Sequence, residues 1–124
     1  ILKNQPARCS HGNQIRDFLY VEDVADAFVT LLESDVTGPI NIGSGHPYTL
    51  KEIIYKIAQK LGREDLIQLG VIPTSPDEAP MVVADVSRLS KKLGWQPQYD
   101  VDQGLEQTIN WWKNELKNGG LRAI

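Results

Sequence analysis

Residues 40–52 read INIGSGHPYTLKE: a short apolar run of β type, then Gly-Ser-Gly, then the start of a helix. Strand, glycine turn and helix in that order are the local plan of α/β proteins, and also of the loops that cradle phosphates. A dinucleotide fingerprint needs G-x-G-x-x-G, whose third glycine lets the helix pack closely on the sheet. Gly43 and Gly45 meet the first two places, but the third falls on Tyr48. Pro47 also removes a backbone N–H where a donor should face phosphate. A P-loop fails as well, because the turn lacks a Gly-Lys-Ser/Thr end. In its place stands Thr49-Leu50-Lys51-Glu52, a T-x-x-E capping box in which hydroxyl and carboxylate satisfy the helix's own free N–H groups. The stretch reads as a glycine turn feeding a self-capped helix.

The same alternation continues on both sides. Residues 15–21 (IRDFLYV) are rich in β-branched and aromatic side chains and predict a strand. A helix over 22–34 comes next, with Val24, Ala27, Phe28, Leu31 and Leu32 on one face, and Gly38-Pro39 ends it before a short strand over 39–42. Leu50, Ile53, Ile54, Ile57, Ala58 and Leu61 recur at helical spacing over 50–61, with Gly62 as the stop. Strands are predicted over 66–72 and 81–84. A short helix then runs to Leu93, with Asp85 as its N-cap, and a last helix covers 101–117. In that last helix Val101, Leu105, Ile109, Trp112 and Leu116 share a face, which puts Trp112 in the core and Trp111 on its flank. Strands alternating with helices, none joined by a tight hairpin, specify an α/β chain with at least partly parallel pairing. Strands this short and few belong in a larger sheet covered on both faces.

Composition narrows the partners. The chain has 124 residues, 41% of them apolar, enough for one domain with a core. Charges are mixed and sum to only −3, so nucleic acid is not an expected partner. No apolar run approaches the roughly 20 residues that span a bilayer, and no membrane partner is expected. The single Cys9 suits a reducing compartment, the cytoplasm. Cys9, His11 and His46 are the only thiol and imidazoles, one short of a four-ligand zinc site. No nucleophile elbow G-x-S-x-G occurs. Arg16, at the start of a strand, either aims its guanidinium fork at an anionic ligand or pairs with a nearby acid.

Four stretches then act together: HGNQIRDFLYVEDVADAFVTLL (11–32), PINIGSGHPYTLKEI (39–53), PDEAPMVVADVSRLSKKLGWQP (76–97) and GLEQTINWW (104–112). In this order and spacing the chain resembles the C-terminal portion of the extended short-chain dehydrogenase/reductases. These are NAD(P)-dependent nucleotide-sugar epimerases and dehydratases of the UDP-glucose 4-epimerase type. The likeness runs from about Leu2 to Trp112.

The resemblance implies a division of labour. An N-terminal Rossmann half carries NAD(P) and a catalytic Tyr-x-x-x-Lys; the C-terminal half grips the nucleoside diphosphate of the sugar nucleotide. Here Tyr48 to Lys51 is one residue short of that spacing and Tyr55 to Lys60 one too long. The chain, beginning Ile-Leu-Lys-Asn, is thus expected to be a single substrate-binding segment over 1–124, separated from its N-terminal half and binding no cofactor itself. By position Arg16 matches the arginine that pairs with the diphosphate. The R-P-x-D/E motif falls on Ser75-Pro76-Asp77-Glu78, where Glu78 matches the ribose-binding acid and Ser75 replaces a second phosphate arginine. Losing that arginine should weaken diphosphate binding or shift the load to Arg63, Arg88 or another cation. Parted from the other half, strand 39–42 and faces such as Leu50, Ile53, Ile57 and Leu61 would lack cover, and a homo-oligomer is expected. A non-catalytic binding or regulatory protein of the same fold is the alternative.

Overall fold

A computed structural model describes residues 1–119. Its strands are β1 (Ala7–Arg8), β2 (Ile15–Asp17), β3 (Pro47–Thr49), β4 (Ile67–Gln68) and β5 (Met81–Val82). Its helices are α1 (Val21–Leu32), α2 (Leu50–Leu61), α3 (Ser87–Lys91) and α4 (Val101–Lys117). The fold is mixed α/β with few, short strands. β2 is the centre of a three-stranded sheet, antiparallel to β3 and parallel to β5, while β1 and β4 form a separate parallel pair.

The strongest local signals form as written. Thr49 caps α2: its hydroxyl accepts from the Glu52 N–H and the Glu52 carboxylate accepts from the Thr49 N–H. The next free N–H groups of α2, on Leu50 and Lys51, donate to the carbonyls of Gln14 and Gly12, so the helix start is fastened to the lead-in of β2. Gly62, at φ 63°, closes the helix in the left-handed conformation that a side chain disfavours. α4 starts on a second capping box, Asp100 with Gln103. Lys56 of α2 reaches Asp102 of α4 at 2.8 Å.

Elsewhere the sequence reading needs correction. Residues 39–42 form no strand, because no segment among the described residues offers them a backbone ladder: their backbone groups have no hydrogen-bond partner there, and only the Asn41 side chain reaches a neighbour, the Asp85 carbonyl at 3.2 Å. Ile40 and Ile42 nonetheless pack against the core of Ala27, Leu89 and Trp95. The strand over 15–21 shortens to Ile15–Asp17, since β3 and β5 offer partners only that far. The strand over 66–72 keeps only Ile67–Gln68, after which Gly70, Val71 and Ile72 turn back to donate to the Ser10 and Cys9 carbonyls. Asp85 precedes the capping residue, Val86, by one position, yet still accepts from the Ser87 N–H at 2.9 Å. Trp112 lies outside the core; it is 42% exposed and packs edge-to-face on Trp111.

The most exposed apolar surface is on α1, while on α2 Leu50, Ile57 and Leu61 are half-buried. Ile53 and Ala58 of α2 are buried. On α1, Ala27 and Asp23 are buried while Val21, Phe28, Val29 and Leu32 form one exposed apolar stripe, Leu32 at 84%.

Candidate functional site

Alternation along β2 sends Gln14 and Arg16 to one side and Ile15 and Asp17 to the other. On the first side, Arg16 Nη2 donates to Glu78 Oε1 at 3.0 Å, and Nη1 donates to the Ile15 carbonyl at 2.8 Å. Gln14 Nε2 donates to the other Glu78 oxygen at 3.1 Å and to Ser10 Oγ at 3.3 Å. The two residues singled out for diphosphate and ribose are therefore neighbours across 62 positions of chain. Glu78 is delivered by a turn in which Ser75 Oγ accepts from the Asp77 N–H and the Ser75 carbonyl accepts from the Glu78 N–H. Both side chains of the Arg16–Glu78 pair keep solvent contact, at 25% and 33% exposure, so the pair adds at most about 1 kcal/mol to stability. Gln14 is buried, and its Oε1 has no partner among the described residues. An orphaned acceptor of that kind costs about 1–3 kcal/mol.

Arg16 also borders a cleft of about 570 Å³ lined by Asn41, Ile42, Val82 and Asp85. A larger cleft, about 790 Å³, is walled by Phe18, Tyr20, Tyr48, Trp95, Tyr99 and Leu105 and does not include Arg16. The other two arginines named from the sequence do not join the pair. Arg63 grips Asp65 through Nε and Nη2, each at 2.9 Å, and Arg88 donates to the Thr37 carbonyl at 2.8 Å.

On the opposite side of β2, Asp17 answers the question raised by Gly-Ser-Gly. Its Oδ1 accepts from the Ser44 N–H at 2.8 Å and the Ser44 hydroxyl at 2.7 Å. Its Oδ2 accepts from the Gly45 N–H at 2.8 Å and the Ala84 N–H at 3.2 Å. The anion in this turn is the protein's own carboxylate. Burial pushes the Asp17 carboxyl up, but the donors of Ser44, Gly45 and Ala84 outweigh it and hold it below the ordinary aspartate range. Gly43 is required by proximity, since a Cβ there would stand 2.6 Å from Ala84 Cβ and 2.9 Å from Asp17 Oδ2. With these amides engaged, Pro47 lacking an N–H and Tyr48 in β3, the turn does not fit a dinucleotide phosphate.

Two further acids work the same way and were missed by sequence reasoning. Asp23, 1% exposed, accepts from the N–H groups of Gln98 and Tyr99 at 2.9 and 3.1 Å. Asp26 accepts from the Trp95 indole N–H at 2.7 Å. V-x-D-V-A-D thus clamps the L-G-W-Q-P-Q-Y segment. The available signal was a pair of acids near the start of α1 amid apolar residues, one of them facing the core. Among the described residues no group of three or more His, Cys, Asp or Glu is placed to hold a metal, and no helix is long and apolar enough to cross a membrane.

Known proteins of similar sequence and fold supply the family. A family profile described as GDP-mannose 4,6 dehydratase matches residues 1–108. GDP-L-fucose synthase 1 of Arabidopsis thaliana is 37% identical over 108 residues, covering 86% of this chain and 32% of that enzyme. The chain thus spans about a third of the length of the curated relatives it matches. Among solved structures, UDP-N-acetylglucosamine 4-epimerase of Methanobrevibacter ruminantium M1, in complex with UDP-N-acetylmuramic acid, superposes with TM-score 0.77 at 28% identity, covering 90% of this chain and 36% of that one. UDP-glucose 4-epimerase of Thermus thermophilus, in complex with NAD, superposes with TM-score 0.78 at 27% identity, covering 89% and 36%. On these grounds the chain belongs to the GDP-mannose 4,6 dehydratase family, among the nucleotide-sugar epimerases and dehydratases of the extended short-chain dehydrogenase/reductases.

Proposed function

We propose that this chain is the sugar-nucleotide-binding, C-terminal part of an NAD(P)-dependent nucleotide-sugar epimerase, dehydratase or reductase. The observation that carries the reading is the Arg16–Glu78 pair: a partly exposed guanidinium that borders a cleft and is paired with a partly exposed carboxylate. A planar fork suits the oxygens of a diphosphate, and a carboxylate accepts from ribose hydroxyls. Binding requires Arg16 to exchange Glu78 for phosphate. NAD(P) is assigned to an N-terminal Rossmann half, which supplies the hydride chemistry when loaded. Support comes from the NAD-bound epimerase of similar fold and from the engaged Gly-Ser-Gly amides here. That half covers the bare 39–42 edge and the α1 stripe.

Calorimetric titration of the complete protein with UDP, GDP and CDP tests the reading. At least one should bind, and Arg16→Ala should weaken it; binding that ignores Arg16 refutes the site. Ser75, in place of a second arginine, favours a second reading, a non-catalytic binding protein of the same fold. Turnover of a nucleotide sugar by the complete protein excludes it.

A further inference from the structure

The two oxygens of Glu78 are held by donors of different kinds. Oε1 takes its hydrogen bond from Arg16, which is partly exposed and able to turn to a ligand. Oε2 takes its hydrogen bond from Gln14, which is 6% exposed and cannot reach one. Gln14 is itself fixed, because its Nε2 is shared with Ser10 Oγ and its backbone carbonyl accepts from the Leu50 N–H at the start of α2. Its Oε1 is buried with no partner among the described residues. An apolar side chain of the same shape would avoid that cost, so the amide contributes through its NH₂ group.

We infer that Gln14 is the positioning residue of this site, holding Glu78 in place when Arg16 leaves it for a diphosphate and so presenting Glu78 Oε1 to the ribose hydroxyls of the ligand. The inference rests on the nucleotide-site reading and adds to it the source of selectivity for a ribose. Once the guanidinium turns outward, Glu78 sits on an exposed turn beside an anionic ligand, and like charges would drive it toward solvent. The Gln14 N–H keeps one oxygen anchored in the protein and leaves the other free to accept. Arg16 therefore reads the diphosphate, and Gln14, through Glu78, reads whether hydroxyls accompany it.

The test compares three probes by calorimetry on the complete protein: pyrophosphate, the ribonucleoside diphosphates UDP and GDP, and their 2′,3′-dideoxy counterparts. The parent protein should prefer the ribo form by about tenfold or more, the size of one hydrogen bond to a charged acceptor. Gln14→Met should shrink that preference to about twofold or less while pyrophosphate affinity stays within about twofold. Glu78→Gln should shrink the ribo preference in the same way, while its pyrophosphate affinity rises because Arg16 is released from its partner, and the double variant should lose no further preference, since both changes remove one interaction. If Gln14→Met does not fold, Gln14→Asn, whose amide is one methylene short of Glu78, takes its place. A variant that keeps the ribo preference, or that weakens all three probes in parallel, overturns the inference. Equal binding of ribo and dideoxy forms by the parent overturns it too and leaves the diphosphate site standing. A parent that binds none of the probes overturns both.

Discussion

Asp17 and Ser44, 27 residues apart, are joined twice at a single carboxylate oxygen, by the Ser44 N–H at 2.8 Å and the Ser44 hydroxyl at 2.7 Å. With Gly45 and Ala84 on the other oxygen, one side chain fastens β2 to the glycine turn and to the segment after β5.

Asp17→Asn should therefore cost about 1.5–3 kcal/mol near neutral pH, the range for hydrogen bonds to a charged acceptor. The folded carboxyl titrates below its ordinary value, so its contribution is present above that value, about 3.9, and is lost as pH falls through the folded one. Urea unfolding of the complete protein should show a gap between parent and variant at pH 7 that narrows below about pH 4. A gap independent of pH would mean that the charge of Asp17 is immaterial.

Gly43→Ala should destabilise by about 1–3 kcal/mol, because the new methyl overlaps Ala84 Cβ and Asp17 Oδ2. Adding Ala84→Gly removes the first overlap only, so partial recovery of the urea midpoint is expected. Full tolerance of the single change would show that the turn can move away from Asp17.

Asp23→Ala leaves the N–H groups of Gln98 and Tyr99 without their acceptor at a site 1% exposed. A loss of about 1.5–3 kcal/mol is expected, accompanied by faster amide exchange at those two residues. Unchanged exchange there would place the anchor of the Trp95–Tyr99 segment elsewhere.

Arg16→Ala should weaken nucleoside diphosphate binding in the complete protein by about 1.5–3 kcal/mol. Arg16→Lys should recover only part of it, since an ammonium lacks the planar fork. Full recovery would show that Arg16 acts as a point charge.

The chain of 124 residues taken alone should self-associate. Val21, Phe28, Val29 and Leu32 are exposed on α1, and residues 39–42 present backbone groups with no partner among the described residues. Burying each such apolar side chain is worth about 1.5–3 kcal/mol. Light scattering that finds a stable monomer at high micromolar concentration would show that these surfaces are tolerated in water.

Local chemistry was legible in the sequence. α2 and α4 carry their own caps and apolar stripes within a dozen or so residues, so their limits could be read directly. Strand lengths could not, because a strand lasts only as long as its neighbour. Residues 39–42 have the right side chains and nothing to pair with, whereas Pro47–Thr49 has a weak pattern and a good neighbour in β2. Arg16 stood out by its place at a strand start, and resemblance to known proteins gave it a role and brought Glu78 forward. Asp17, Asp23 and Asp26 were passed over because an acid's value here lies in donors 27 to 76 residues away.

The parallel pairings set the order in which the molecule can form. β1 must wait for β4, Ala7 pairing with Ile67, and β2 must wait for β5, Ile15 pairing with Met81. Closing loops of that length comes before any ladder bond rewards it, which makes the sheet a late event and a slow one. α1 and α2, built from contiguous residues, can form while the chain is still growing. A nascent chain that stops short of Val82 has two helices and half a sheet. Until β5 arrives, Arg16 stands at the edge of β2 with no Glu78 beside it, and the site comes into being only as the last strand docks.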